Sequence, residues 1–354
     1  MEEKKDTLGM LDLVIRPGFC VKENQIIKVN QAAESLFITP GTDVRPLLLT
    51  GSEEYAAFTG GCLYLTLSLS SHSCGASVTR VDDIDVFLLE QESDNGELRS
   101  MALAARELRE PLTNVMITAD SLFPLCAAES SPRTAEQVAR LNRGLFQILR
   151  IIGNMSDAER CAAVSHQETV DIPALFAEFF EKAEPLVSHT GITLTYEGPD
   201  QPIYGLADRE QLERAVLNIL SNAIKFTPKG GTVTAKLTRS GRMLRLSVTD
   251  SGSGIAQSVR SSVFSRYLRQ PALEDSRYGI GLGMVLIRTA AAHHGGAVLI
   301  DQPDGAGTRI TMTMSIRQSK QATLRSNVLR VDYAGERDHG LIELSECLPT
   351  ELYE

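Results

Sequence analysis

The chain has 354 residues, 43% of them hydrophobic, enough for two or three domains with real cores. A formal net charge of −10 argues against nucleic acid as the main partner. No run approaches the ~18 apolar residues of a membrane span, the acidic start MEEKKDTLG is no signal peptide, and six cysteines without a CxxC pair read as free thiols, so the expected setting is a reducing cytoplasm.

Residues 11–92 form the first predicted module. LDLVIRPGFCVKENQIIKVNQAAESLF reads as strand, turn, strand and a short helix beginning after Asn30, and LYLTLSLS and VDDIDVFLLE read as later strands. His72 and Cys74 lie close together, in a Ser-rich stretch read as a loop; metal binding there is a weaker reading than a plain loop. Size and order look like a PAS sensor module, and a small α+β domain without a ligand stands beside that reading.

The period then changes. Over residues 96–162, Leu98, Met101, Ala105, Leu108, Leu112, Val115, Ala119 and Leu122 alternate three and four apart, a heptad seam through a long helix. A loop around Cys126 to Thr134 leads to a second seam of Val138, Leu141, Leu145, Ile148, Ile152 and Met155. Two such helices make an antiparallel hairpin with one apolar edge. One hairpin cannot bury that edge alone, so a homodimer closing a four-helix bundle is expected. Pro111 removes a helical hydrogen bond and should bend the first helix.

Residues 160–170 read as a linker. Beyond it, Gln211 to Phe226 reads as a helix with an apolar stripe of Leu212, Val216, Ile219, Leu220 and Ala223. Asn218 and Asn222, four apart, share a neighbouring face with Lys225. Carboxamide oxygens suit a hard cation such as Mg2+ without adding charge, and an ammonium suits phosphate oxygens. An alternating run (Leu244, Leu246, Val248) ends at Asp250-Ser251-Gly252-Ser253-Gly254. Val263-Phe264-Ser265-Arg266-Tyr267 and Gly279-Ile280-Gly281-Leu282-Gly283 follow, the latter opening the helical MVLIRTAAAHHGG. A carboxylate at a strand end can accept the exocyclic amine of adenine, and glycines let backbone N–H groups approach phosphate. A strand pair at 297–301 and 307–316, hinged on Gln302-Pro303-Asp304-Gly305, closes this region.

Taken in this order, residues 168–317 resemble the ATP-binding domain of sensor histidine kinases, within the GHKL group that also holds gyrase and MutL. The resemblance implies an α/β sandwich of Bergerat type that binds ATP and Mg2+. It implies that Asn222, with Asn218 nearby, coordinates Mg2+ and that Lys225 contacts phosphate. It likewise implies that Asp250 binds adenine and that Gly252, Gly254, Gly279, Gly281 and Gly283 shape the lid and pocket. The hairpin resembles the same family at ARELREPLTNVM, where Arg106 stands at the position of the phospho-accepting histidine. Glu107, the general-base position, is kept, whereas Glu110 stands where the family has the threonine used in phosphatase activity. Arginine stays protonated with its lone pairs delocalised and cannot attack a phosphoryl group, whereas imidazole offers a neutral lone pair.

The whole is expected to be a multidomain α+β protein: a PAS-like module, a dimerising hairpin, an ATP-binding domain and an extension over 318–354 in which GLIELSECL reads as a short docking helix. The implied function is two-component signalling by a pseudokinase, or by a subunit that phosphorylates a histidine on another chain. Implied partners are a second copy, another histidine kinase or a response regulator. The alternatives are an ATP-independent dimeric scaffold and a GHKL protein-serine kinase.

Overall fold

The computed structural model describes residues 9, 11–69, 72–90, 92–128, 132–163, 166–255, 263–264, 282–303, 307–317 and 337–353. β1 (Gly18–Lys22) and β2 (Gln25–Val29) form a hairpin turned at Glu23 and Asn24, both at positive φ (51° and 65°), as a twist-matched two-residue turn requires. Asn30 then caps α1 (Gln31–Glu34): its Oδ1 accepts the Ala33 N–H at 3.0 Å and the Gly18 N–H at 3.0 Å. After α2 (Ser52–Ala56) come β3 (Cys62–Ser68), β4 (Ser73–Val81) and β5 (Ile84–Leu89).

β4 corrects half of the sequence reading, which placed His72 and Cys74 in a loop: exposed His72 does precede the strand, but Cys74 lies in it. Cys74 is a buried strand residue, inward-facing with Ala76 and Val78. These side chains are small, and the Ser, Gly and Thr between them dilute the alternation by which a strand is recognised.

α3 (Glu92–Ala128) and α4 (Pro132–Ala163) make the expected hairpin, slightly longer at both ends than 96–162. α3 continues as helix through Pro111. Each heptad seam divides. Of the seam residues, Ala105, Leu112 and Ile152 pack inside the hairpin, joined there by Met116 and Leu149 from outside the seams, while Leu108, Val115 and Leu122, with Leu141 and Ile148, stay exposed.

The remaining elements are β6 (Glu168–Asp171), α5 (Ile172–Ser188), β7 (Thr193–Glu197), β8 (Tyr204–Ala207), α6 (Arg209–Phe226), β9 (Thr232–Ser240), β10 (Met243–Asp250), α7 (Gly283–His293), β11 (Val298–Asp301) and β12 (Arg309–Ser315). β6 and β8 pair as a small separate sheet. The others run β7-β9-β10-β12-β11, antiparallel except for the β7–β9 pair. α5, α6 and α7 contribute Phe176, Phe179, Leu212, Val216, Leu220 and Ile287 to a core shared with Val233, Leu246 and Met312 of this sheet.

This sheet does not end at β11. β11 pairs antiparallel with β3, in the register Val298↔Tyr64, Leu299↔Leu63 and Ile300↔Cys62, so the N-terminal module and the α/β domain share one ten-stranded sheet. Successive side chains of a strand point to opposite faces. Cys62 and Tyr64 accordingly enter the core under α5 to α7, whereas Leu63, Leu65 and Leu67 enter the core of the N-terminal module. Burying each such leucine contributes about 1.5–3 kcal/mol. On the α7 side, Arg288 crosses the junction: its Nη2 meets Glu90 at 2.5 Å, its Nη1 donates to the Phe264 carbonyl at 3.0 Å, and its guanidinium lies 4.9 Å from the Tyr64 ring centre.

Candidate functional site

α6 is fixed at its start by a buried contact. Asp208 is the N-cap, Oδ1 accepting the Gln211 N–H at 3.2 Å, and its own backbone N–H donates to His294 Nε2 at 3.0 Å. His294 Nδ1 lies 2.7 Å from the Ala290 carbonyl, so the neutral tautomer with its proton on Nδ1 satisfies both contacts. Burial holds the His294 pKa below its ordinary value, which suits that neutral form. The predicted apolar stripe Leu212, Val216, Ile219, Leu220 and Ala223 is wholly buried.

The polar edge of α6 is wider than the sequence suggested. Arg214, Asn218, Ser221 and Lys225 recur at spacings of four, three and four, one continuous helical stripe. Asn218 is buried. Asn222 is half-buried beside it, its Nδ2 3.7 Å from Met284 Sδ.

Asp250 ends β10, buried, with Oδ1 accepting the N–H groups of Gly252 (2.8 Å) and Thr308 (3.1 Å). Burial raises its pKa above the ordinary carboxylate value, and those two donors oppose the shift. Gly252 has a steric reason: a Cβ there would lie 2.4 Å from the Phe226 carbonyl oxygen, so β10 and the end of α6 approach only because it is glycine. Gly254 has a conformational one, at φ +75°. A Cβ at Gly283 would come within 2.8 Å of Asn218 Oδ1, which places the last glycine of the third motif directly on the Asn218 amide. Gly279 and Gly281 lie outside the described residues. Gly307, at φ +94° with a would-be Cβ 1.9 Å from the Asp250 carbonyl oxygen, is a further glycine of this site that the sequence reading missed.

The predicted docking helix is α8 (His339–Glu343), N-capped by Asp338 Oδ1, and residues 337–353 lie between α4 and α6. Ile342 joins the Ala105, Leu112 and Ile152 cluster of the hairpin. Glu343, fully buried, receives Arg150 Nε (3.3 Å) and Arg214 Nη2 (3.1 Å), and Asn218 Nδ2 donates to its Oε2 at 3.3 Å. Glu346 meets Arg150 Nη1 at 2.9 Å and pairs with Lys225. Arg150 Nη2 also reaches Ser221 Oγ at 3.2 Å, and Arg214 pairs with Asp157. Burial works against charge on Glu346, but Arg150 and Lys225 outweigh it and hold its pKa below the ordinary value. Further anchors come from α4. Arg143 donates to the carbonyls of Ser345 (2.9 Å) and Glu346 (3.1 Å), and Asn142 Nδ2 to that of Tyr353 (2.9 Å).

Asn218, Asn222 and Lys225 thus lie along one helix, with Gly283 against Asn218 and the Asp250–Gly252 turn against Phe226, next to Lys225. Arg106, Glu107 and Glu110 are exposed on α3, next to Ala105 and its contact with Ile342. Sequence reasoning missed Arg150, Arg214 and Ser221. Arg214 was accessible, one helical turn before Asn218; Arg150 belongs to another helix and leaves no local signal. Among the described residues no cluster of metal-ligating side chains occurs, and none of the described helices is long and apolar enough to cross a membrane.

This combination of an amide- and lysine-bearing helix, an Asp–Gly strand end and a Gly-led helix defines a GHKL-type ATPase domain. Residues 207–318 match the family of histidine kinase-, DNA gyrase B-, and HSP90-like ATPases. An uncharacterized sensor-like histidine kinase of Rhizobium meliloti is 28% identical over 276 residues, covering 73% of this chain and 52% of that protein. The adaptive-response sensory kinase SasA of Synechocystis is 30% identical over 224 residues, covering 61% of this chain and 58% of that kinase. Full-length ShkA, solved in complex with AMPPNP, shares the fold at a TM-score of 0.52 and 23% identity over 70% of this chain and 54% of its own. The chain therefore carries a histidine kinase-like ATPase domain and is similar beyond it to sensor histidine kinases, and it spans 52%, 64% and 58% of the length of three curated relatives.

Proposed function

We propose that this chain is a cytoplasmic sensor-kinase homologue of two-component signalling that binds ATP with Mg2+ and does not phosphorylate itself. The observation that carries this reading is the pairing of a gathered nucleotide motif set with Arg106 at the acceptor position. Asn222, with Asn218, would hold the metal, Lys225 would meet phosphate, and Asp250 would accept the adenine amine in a pocket shaped by Gly252, Gly254 and Gly283. The metal would neutralise phosphate charge. Glu107 stands ready to take a proton, but the neighbouring guanidinium supplies no nucleophile.

The N-terminal module fits a PAS-like input, and the exposed half-seams of α3 and α4 fit a homodimer closing a four-helix bundle. The output is then conformational, or is phosphorylation of a histidine on another kinase, with a response regulator downstream. The engagement of Asn218 and Lys225 by residues 343–346 favours a second reading, an ATP-independent dimeric scaffold. The long hairpin disfavours a GHKL protein-serine kinase of anti-sigma type, which lacks one.

Incubation with labelled ATP tests the proposal. The wild-type chain should bind ATP and acquire no acid-labile phosphate, and Arg106→His should restore some labelling. Arg106→His with Glu110→Thr should exceed it, because a unit charge at ~4 Å and effective dielectric ~20 is worth about 4 kcal/mol before screening. Robust acid-labile labelling of the wild type would overturn the pseudokinase reading, and absence of ATP affinity would leave the scaffold.

A further inference from the structure

We infer that residues 338–353 are a built-in competitor of nucleotide, holding the polar edge of α6 with carboxylates in place of phosphates. The inference rests on the nucleotide-binding reading above and adds its regulation.

Charge carries the first part. Along this edge three cations, Arg150, Arg214 and Lys225, meet three carboxylates, Asp157, Glu343 and Glu346. Two of those carboxylates belong to the tail. With the tail away, Asp157 alone of this set faces the three cations, leaving a surplus of about two positive charges beside the Asn218 amide. Such a surplus in a partly desolvated groove is an attractive site for a polyphosphate. With the tail in place the surplus is gone.

Geometry carries the second part. Glu343 accepts a hydrogen bond from Asn218 Nδ2 and Glu346 pairs with Lys225, so the tail engages one side chain that the nucleotide reading assigns to the metal and the one it assigns to phosphate. The tail lies along the stripe: Glu343 is at Arg214 and Asn218, Glu346 at Lys225, and Cys347 at Ser221, with its Sγ 3.4 Å from the Ser221 carbonyl. Ile342 meanwhile sits in the cluster that contains Ala105, the neighbour of Arg106. One short segment thus lies between the helix of the acceptor position and the helix of the nucleotide motif. Tail and polyphosphate both claim Lys225 and the positive edge beside it, so occupancy by one excludes the other.

The test uses the full chain with AMPPNP and Mg2+. Glu346→Gln is the informative variant, since the Glu346 side chain is 27% exposed and its loss leaves the Glu343 pairs in place. Calorimetry should show at least tenfold tighter AMPPNP binding by E346Q than by wild type. In the wild type, saturating AMPPNP should raise amide hydrogen exchange across 338–353. Equal affinities with unchanged tail protection would overturn the competition while the nucleotide reading stands. Tighter binding by E346Q with full tail protection at saturation would also overturn it, since the gain would then be one of charge alone. No binding by either protein would overturn both readings.

Discussion

Two segments distant in sequence are fastened to the same ATPase domain by different physics. The N-terminal module joins through a strand pair: main-chain hydrogen bonds between β3 and β11, with side chains alternating into two dry cores. The tail joins through buried ion pairs on α4 and α6 as well as through apolar side chains, Ile342 in the hairpin cluster and Leu344, Leu348 and Tyr353 at the edge of the α/β core. Hydrophobic burial along a strand stabilises without needing a particular counter-charge. A buried ion network is only as good as its completeness, because desolvation consumes much of the Coulombic gain. Its members can also be satisfied by another anion or by water. The junction is therefore the permanent attachment and the tail the replaceable one.

Glu343→Gln should give the largest effect. Leaving Arg150 and Arg214 short of their shared carboxylate would cost about 3–5 kcal/mol if both stayed buried. Undocking avoids most of that cost, so the loss should appear as vanished hydrogen-exchange protection over 338–353 while α6 keeps its own. Simultaneous loss of protection in α6 would break the comparison, because the tail's Leu344, Leu348 and Tyr353 would then be indispensable to the core that they share with α6.

Leu63→Ala should come next. It empties a fully buried position at the junction, at about 2–5 kcal/mol. Urea unfolding should show both modules losing stability in one transition. Two transitions, with only the N-terminal one shifted, would mean that the shared sheet is not a shared cooperative unit.

The smallest effect is that of pH. Glu346 is held below its ordinary pKa by Arg150 and Lys225, so its contribution to docking is present above the ordinary value of 4.5 and is lost as pH falls through the lower folded value. Methyl NMR of Ile342 should report a docked tail at pH 5 and its release only in stronger acid. Release above pH 5 would sharpen the comparison differently, by assigning the attachment to another group.

The nucleotide motifs were legible in the sequence because each is local: α6 shows its apolar stripe within eighteen residues, and Asp250 with Gly252 and Gly254 sits where one strand ends. The hairpin was legible for the same reason, although heptad spacing does not say which half of a seam faces the sister helix. The β3–β11 pair was not, since nothing in LYLTLSLS names a partner more than two hundred residues away. The tail was half legible. GLIELSECL shows a short docking helix, but nothing in it marks Glu343 and Glu346 as buried, because charged residues are seldom buried unless paired. Their partners, Arg150 and Arg214, lie on two other helices.

The register of β3 against β11 has a mechanical consequence. Side chains of a strand face one way or the other with nothing between, so a slip of one residue would send Tyr64 and Cys62 into the leucine core and Leu63 and Leu65 toward Arg288 and the helices. Gradual sliding is thereby forbidden at this seam. Any signal crossing from the N-terminal module to α7 must travel as twist or bending of an intact sheet, or as outright separation of β3 from β11, which makes the seam a stiff coupling rather than a bearing.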